Sequence, residues 1–274
     1  MTTTIAWMSQ SGTGRRTFYL GADSRGTPFH EGGVTSNSEK KTYASKVTPE
    51  IFCLSGDLQW GNNFLRMLVN YLKVGKCSSP LGYIDRPYEF CKQSFANPPR
   101  KPICQLEVLY GVRRGAGRTS TFHLFELKHT GAKDSNWSVA AVGLKNVQKN
   151  TSSRVFAGGK GGCAHLKHQK WLSGGDQGDV SRTSFWSLCD LVEGKPVNNI
   201  DTGGVPQLVK IDQCGCASEV GVYYFGKPTV SGSRVTAPAL STKFWVNENF
   251  THLDPKTMEP WSLGSKYGRR FSAR

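Results

Sequence analysis

The feature of this chain that most constrains its fold is the order in which short apolar runs and longer helical stretches follow one another. Strands are predicted near residues 3–8, 17–23, 42–44, 50–55, 105–112, 121–128, 137–142, 154–157, 205–211 and 220–225. Helices are predicted near residues 57–74, 84–95 and 180–193. Groups of strands separated by helices favour an α+β fold in which two antiparallel sheets stack and helices cover them on the outside.

The length and composition of the chain predict one large domain with a C-terminal extension. A chain of 274 residues, of which 37% are apolar, can bury a full core. We assign residues 1–225 to that domain. Residues 226–274 show little periodicity but carry spaced aromatic side chains, namely Phe244, Trp245, Phe250, Trp261, Tyr267 and Phe271. Aromatic anchors without a core of their own predict an extension packed on this domain or on a neighbouring subunit.

The chain begins Met1-Thr2-Thr3-Thr4, and a small second residue is typical of proteins that lose the initiator methionine. Removal would place a free α-amino group on the residue that carries the Thr2 hydroxyl. An α-amino group titrates at about pH 7.7–8.0, so it can act as general base for this weak nucleophile. Many proteins begin in this way and make no use of the threonine, so the start alone decides nothing.

Further motifs follow the threonine start in a defined order. An apolar strand runs into Asp23-Ser24-Arg25, the pair Lys40-Lys41 comes next, and a second apolar strand ends in Ser55-Gly56-Asp57 before the first helix. This order resembles the β-subunits of proteasomes and the bacterial proteasome-like peptidases, which are N-terminal nucleophile hydrolases. The resemblance covers residues 2–75 and continues faintly to about residue 211.

The resemblance implies the four-layer αββα sandwich of the N-terminal nucleophile hydrolases, with two antiparallel sheets flanked by helices. It also implies that Thr2 is the nucleophile, that Lys41 lowers the pKa of the nucleophile, and that Asp23 orients Lys41. These roles are physically coherent, because a cation favours loss of a nearby proton and a carboxylate holds the cation in place. Lys46 is a rival for the lysine role, but the spacing from Lys41 to Gly56 is closer to that of the family.

Substrate contacts are implied by the same resemblance. The backbone N–H of Gly56, at a predicted turn from strand to helix, would hold the oxyanion of the reaction. Gly26 and Thr27 would hydrogen-bond an extended peptide like an added strand. The pocket beside the nucleophile would be lined by Gly26, Glu39, Leu54 and Leu58. The carboxylate of Glu39 favours a basic side chain on the substrate.

Simpler explanations stay open for several of these residues, and two supporting positions depart from the family pattern. Asp23 could be a turn residue with Arg25 as its partner, and the two lysines could be a solvated pair. The family has a Gly-Ser-Gly turn late in the chain, where this sequence has Lys160 at the place of the serine. In a later Ser-Gly-Gly motif Thr202 stands for the serine, and Asn199 occupies the place of a family aspartate.

The charge and the cysteines bear on cofactors and partners. A net charge of +15 favours a basic surface that faces solvent or an acidic partner, and it leaves nucleic-acid binding open without any motif for it. The cysteines are scattered and lack zinc-site spacing, so we expect neither metal nor cofactor. No apolar run approaches the ~18 residues of a membrane span, and no signal peptide is evident, so we expect a cytoplasmic protein without membrane contact.

The sequence therefore predicts a threonine-type endopeptidase that cleaves peptides or unfolded proteins within a closed homo-oligomeric ring. An ATP-driven unfoldase is a candidate partner by resemblance. A small-amide hydrolase is one alternative, because a fold does not determine its substrate. A catalytically silent scaffold or nucleic-acid-binding relative is another, consistent with the +15 charge and the lysine at position 160.

Overall fold

A computed structural model of the chain describes residues 2–26, 35–74, 105–130, 137–144, 151–159, 162, 181–194, 202–236 and 242–261. Within these ranges the chain forms two sheets and two α-helices, α1 (Leu58–Val74) and α2 (Ser181–Val192). Neither helix combines the length and the apolar character needed to span a bilayer. The helix predicted near 84–95 lies outside the described residues.

The strands lie close to their predicted positions up to residue 225, and further strands follow. In chain order they are β1 (Thr4–Gln10), β2 (Arg16–Ala22), β3 (Thr42–Ala44), β4 (Glu50–Gly56), β5 (Leu106–Arg114), β6 (Thr121–His129), β7 (Trp137–Val142), β8 (Thr151–Gly158), β9 (Gln207–Asp212), β10 (Ser218–Tyr224), β11 (Lys227–Val230), β12 (Ser233–Arg234), β13 (Trp245–Asn247) and β14 (His252–Leu253).

The strands form a nine-stranded and a five-stranded sheet. The larger sheet has the order β12-β11-β10-β9-β2-β1-β8, with β13 beside β10 and β14 beside β13. The smaller sheet has the order β3-β4-β5-β6-β7. The β10–β13 pair is parallel, and the other pairs are antiparallel. The predicted α+β fold with two mostly antiparallel sheets is confirmed.

Three apolar clusters hold these elements together. One joins β4, β5 and β6 to α1, and it includes Phe52, Leu65 and Leu106. A second joins residues of both sheets, such as Phe18 on β2 and Ile51 on β4. A third joins β1, β2, β9 and β10 to α2.

Strand β1 contributes to two of these clusters because alternate residues of a strand point to opposite faces. Ala6 and Met8 belong to the cluster shared by the two sheets, whereas Ile5 and Trp7 belong to the cluster under α2. Four of these side chains, residues 5–8, are at most 5% exposed. The segment directly after Thr2 is therefore a rigid, doubly covered strand, as the sequence predicted.

The described part of the C-terminal extension continues the larger sheet. Strands β10 and β11 pair as a hairpin, so the division predicted after residue 225 falls in the turn between them. The ring of Phe250 lies 6.0 Å from that of Trp7, 5.6 Å from that of Tyr19 and 5.4 Å from that of Phe185, measured between centroids. The extension thus packs against β1, β2 and α2 of its own chain.

We expect Phe250→Ala to lower the free energy of unfolding by about 2 kcal/mol, because a partly buried aromatic ring loses its packing partners. Equilibrium unfolding in urea would measure the change, provided that the dependence of the unfolding free energy on urea concentration is the same for the variant and wild type. Phe225→Ala is the matched control, since Phe225 is 59% exposed, and its cost should stay below about 0.5 kcal/mol. Equal costs for the two variants would contradict packing of the extension on the domain.

Candidate active site

Strand pairing brings the predicted catalytic residues to one end of the two sheets. In the antiparallel pair β1–β2, Thr4 lies opposite Ala22, so the start of the chain lies beside the segment that follows β2. Asp23 is the residue after β2, and Lys41 directly precedes β3. Gly56 ends β4 and is separated from α1 by Asp57 alone, so it lies at the turn from strand to helix that the sequence predicted.

Asp23 and Lys41 form a buried ion pair. The Lys41 Nζ lies 3.0 Å from Asp23 Oδ1, and both side chains are fully buried. The same ammonium group donates to the backbone carbonyl of Arg25 at 2.5 Å. The cation therefore has two oxygen acceptors in a place without solvent, which is what a buried charge requires.

Three backbone N–H groups complete the surroundings of the Asp23 carboxylate. Thr3 donates to Oδ1 at 2.9 Å, and Arg25 and Gly203 donate to Oδ2 at 3.1 and 3.2 Å. The carboxylate thus links the start of the chain, its own turn and the segment before β9. Asp23 also bonds to Arg25 within its own turn, as the simpler explanation held. The group of Arg25 that it binds is the backbone N–H.

Burial shifts the titration of both members of the pair. Removal from water raises the pKa of Asp23 and lowers the pKa of Lys41, since each charged form loses hydration. The attraction between the two groups opposes both shifts. The ion pair and its hydrogen bonds therefore oppose the neutralisation that burial alone would favour.

Thr2 lies at the edge of this hydrogen-bonded network and is 2% exposed. The residue that follows it is held on both sides of its backbone, because Thr3 N donates to the Asp23 carboxylate and Thr3 O accepts from Asp23 N at 3.3 Å. The hydroxyl groups of Thr3 and Thr202 are 2.8 Å apart. Thr2 is therefore attached directly to an anchored residue, and Thr202 supports this anchor.

Two glycines allow close approach of the backbone at the site. Gly159 has a φ of +69°, and a Cβ at this position would lie 1.8 Å from the carbonyl oxygen of Thr2 and 3.4 Å from Ser55 Oγ. Gly56 has a φ of +112°, and a Cβ there would lie 2.1 Å from the carbonyl oxygen of Gln105. Both positions exclude any side chain, for reasons of conformation and of space.

The remaining predicted residues differ in how they meet their expected roles. Gly26 pairs with Ser36 through both backbone groups, at 2.7 and 3.0 Å, so the N–H predicted to bind a peptide is already in use. Glu39 is half-buried. Its negative charge opposes the lowering of the Lys41 pKa that burial causes. Leu54 is fully buried in the cluster under α1.

Other predicted positions are only partly described. Leu58 is the first residue of α1, and its side chain lies outside the described part of the structure. Thr27 and Lys160 lie outside the described residues. The guanidinium of Arg25 donates to Asn37 Oδ1 at 3.0 Å.

Sequence reasoning missed Gln207 as part of the site, and it matched the runs around Gly159 and Gly203 to family motifs without giving either glycine a role. The two glycines stand inside glycine-rich runs, and φ values and contact distances emerge only from the folded chain. Gln207 is a polar residue within an apolar strand, which was its one visible signal. Among the described residues, no three His, Cys, Asp or Glu side chains come together as ligands for a metal ion.

No protein-family model and no curated protein matches the chain. Its fold is similar to that of BPH from Thiobacillus denitrificans, with 13% identity over 78% of this chain and 99% of that chain and a TM-score of 0.46. HslV from Trypanosoma brucei shows 10% identity over 76% and 98% of the two chains, with a TM-score of 0.43.

The Anbu (Gly-1) mutant from Hyphomicrobium sp. strain MC1 shows 10% identity over 84% and 88% of the two chains, with a TM-score of 0.47. These neighbours are proteasome-type proteins, the group that the sequence motifs resemble.

We expect Gly159→Ala to destabilise the protein more than Gly117→Ala. Both glycines have positive φ, so each alanine carries a backbone strain of about 1–2 kcal/mol. A Cβ at position 117 meets no atom within 4 Å, whereas one at position 159 collides with Thr2. Thermal unfolding of the two variants isolates the cost of that collision, and equal losses would show that Gly159 does not touch Thr2.

Proposed function

We propose that this protein is an N-terminal threonine peptidase whose nucleophile is Thr2, exposed by removal of Met1. The freed α-amino group takes the proton of the Thr2 hydroxyl as the oxygen attacks the carbonyl carbon of a peptide bond. The resulting oxyanion accepts a hydrogen bond from the N–H of Gly56. The ammonium then protonates the leaving nitrogen, and the C–N bond breaks to leave an ester on Thr2.

Water resolves the ester in the second half of the reaction. The α-amino group accepts a proton from the attacking water, and collapse of the second tetrahedral intermediate returns that proton to the Thr2 oxygen. Lys41 favours the deprotonated form of the nucleophile through its positive charge, and Asp23 holds Lys41 in place. Each group thus acts in both halves of the cycle.

One observation supports this proposal above the others. A single buried carboxylate accepts from the Lys41 ammonium and from the backbone of Thr3, the neighbour of the proposed nucleophile. A surface ion pair or an isolated turn aspartate would not connect the start of the chain to the segment that carries Lys41. The connection gives Thr2 and Lys41 a common anchor, as catalysis by both groups requires.

The proposal extends to the layers of the fold and to the setting of the site. The apolar clusters under α1, between the sheets and under α2 support the four-layer αββα arrangement. We place the reaction in the cytoplasm, on peptides or unfolded proteins, with Thr27 and Glu39 contributing to substrate binding. We also propose a homo-oligomeric ring that encloses the sites and receives substrate from an ATP-driven unfoldase.

Substitution of Thr2 tests the nucleophile. Thr2→Ala should lower kcat for a fluorogenic peptide by at least about 10³-fold, because the attacking oxygen is lost. Epoxomicin is a suitable probe, since one structural neighbour of this chain is BPH in complex with epoxomicin. Intact-mass analysis should show loss of Met1 and an epoxomicin adduct on wild type but none on Thr2→Ala.

Thr119→Ala serves as the matched control, because Thr119 is exposed on the β5–β6 turn and should label as wild type does. Full peptidase activity in Thr2→Ala would refute the proposed nucleophile. Cleavage of small acyl amides in preference to every peptide of a panel would instead favour the small-amide hydrolase. A wild-type protein that retains Met1, is not labelled by epoxomicin and hydrolyses no substrate would favour the catalytically silent scaffold or nucleic-acid-binding relative.

The ring can be tested independently of the chemistry. We expect native mass spectrometry and light scattering at micromolar concentration to give a mass that is a multiple of the 30.1 kDa chain. A closed ring buries the same surface on every copy, so its mass should be discrete and should not grow with concentration. A clean monomer would rule the ring out and leave the proposed chemistry untouched.

A further inference from the structure

The side-chain amide of Gln207 makes five hydrogen bonds, and its partners include the backbones of both Asp23 and Lys41. It is the first residue of β9, faces Ala22 across the β2–β9 pair, and is fully buried. Its amide nitrogen donates to the backbone carbonyls of Asp23 at 3.2 Å and Glu39 at 2.6 Å.

The amide oxygen of Gln207 has partners of its own. It accepts from the backbone N–H of Lys41 at 3.0 Å, and from the backbone N–H and the hydroxyl of Thr42, both at 3.3 Å. Every partner of the nitrogen is a carbonyl, and every partner of the oxygen is a donor, so the orientation of the amide is determined by its surroundings.

The side chain therefore connects β9 to the two segments that carry Asp23 and Lys41. It belongs to the nine-stranded sheet, whereas Thr42 begins the five-stranded sheet, so its bonds cross from one sheet to the other. Gly232 closes over the amide, since a Cβ there would lie 2.8 Å from the nitrogen of Gln207. The amide cannot leave this position without breaking bonds to both Asp23 and Lys41.

We propose that Gln207 is a positioning residue that holds the backbones of Asp23 and Lys41 at the separation their ion pair requires. This inference rests on the proposed function for its catalytic consequence only. Lys41 and Asp23 are 18 positions apart in the chain and are not on paired strands. Their ion pair by itself fixes only the tips of two side chains, whereas Gln207 fixes the backbones that carry them.

A glutamine suits this role better than the residues of similar size. Glutamate in its charged form has no N–H for the carbonyls of Asp23 and Glu39, and its negative charge would favour the protonated form of Lys41. Leucine has the volume but no polar atom, so five backbone and hydroxyl contacts would lose their partner in a dry site.

The test compares Gln207→Leu and Gln207→Glu with wild type. We expect Gln207→Leu to lower kcat for a cleaved peptide by about a hundredfold with KM nearly unchanged, since a small displacement of catalytic groups costs about that factor. We expect Gln207→Glu to raise the midpoint of Lys41 titration, followed by NMR of lysine labelled with ¹³C at Cε, by about one pH unit. Because the proposed mechanism requires the charged form of Lys41, the alkaline limb of the pH–rate profile should move to higher pH with it.

Thr229→Val is the matched structural control. It removes a buried hydrogen bond of 2.9 Å to the carbonyl of Val222 in the same sheet, away from the ion pair. It should lower the melting temperature while leaving kcat and the titration of Lys41 at wild-type values. If Gln207→Leu fails to fold, the isosteric Gln207→Glu decides the matter alone.

The outcomes separate this inference from the proposed function. A Lys41 titration that keeps its wild-type midpoint in Gln207→Leu, which removes the hydrogen bonds without adding a charge, overturns the positioning role, whatever the activity. A shifted titration in a protein that neither hydrolyses peptides nor reacts with epoxomicin upholds the positioning of Lys41 and refutes the peptidase. A loss of kcat in Thr229→Val equal to that in Gln207→Leu would also overturn the role, because general destabilisation would then explain both.

Discussion

The buried Asp23–Lys41 pair is the interaction on which the rest of the site depends. Two charges removed from water are costly, and their attraction alone seldom repays the loss of hydration. Here the cost is offset by further hydrogen bonds, from three backbone N–H groups to the carboxylate and from the ammonium to a carbonyl. Breaking one partner would leave the other charged in a dry place, so the pair constrains every segment bonded to it.

The sheets supply the rigidity that this pair needs. Strand β1 is covered on both faces, and its start is bonded to Asp23, so the proposed nucleophile is attached to an immobile element. Glycines 56 and 159 permit backbone approaches that any side chain would block. Stability and the proposed chemistry are therefore coupled, because the carboxylate that anchors Thr3, the residue after Thr2, also binds Lys41.

The sequence predicted the parts of this site that local pattern reveals. Short apolar runs placed β1, β2 and β4, and the motif order identified Asp23, Lys41 and Gly56, which the fold brings to one end of the sheets. It missed Gln207, because a polar residue within an apolar strand does not reveal which backbone groups its side chain will bond. It placed a boundary after residue 225, because short strands with little periodicity give no sign that they extend an existing sheet.

By itself the sequence determined which residues are available for chemistry, namely a threonine behind the initiator methionine, an aspartate after a strand and a lysine before another. Only the tertiary structure decided that Asp23 and Lys41 meet and that Asp23 binds the residue after Thr2, because these distances depend on strand register and on sheet stacking. It also decided their electrostatics. The pKa of Lys41 falls because long-range packing removes it from water, and no pattern in the local sequence specifies that packing.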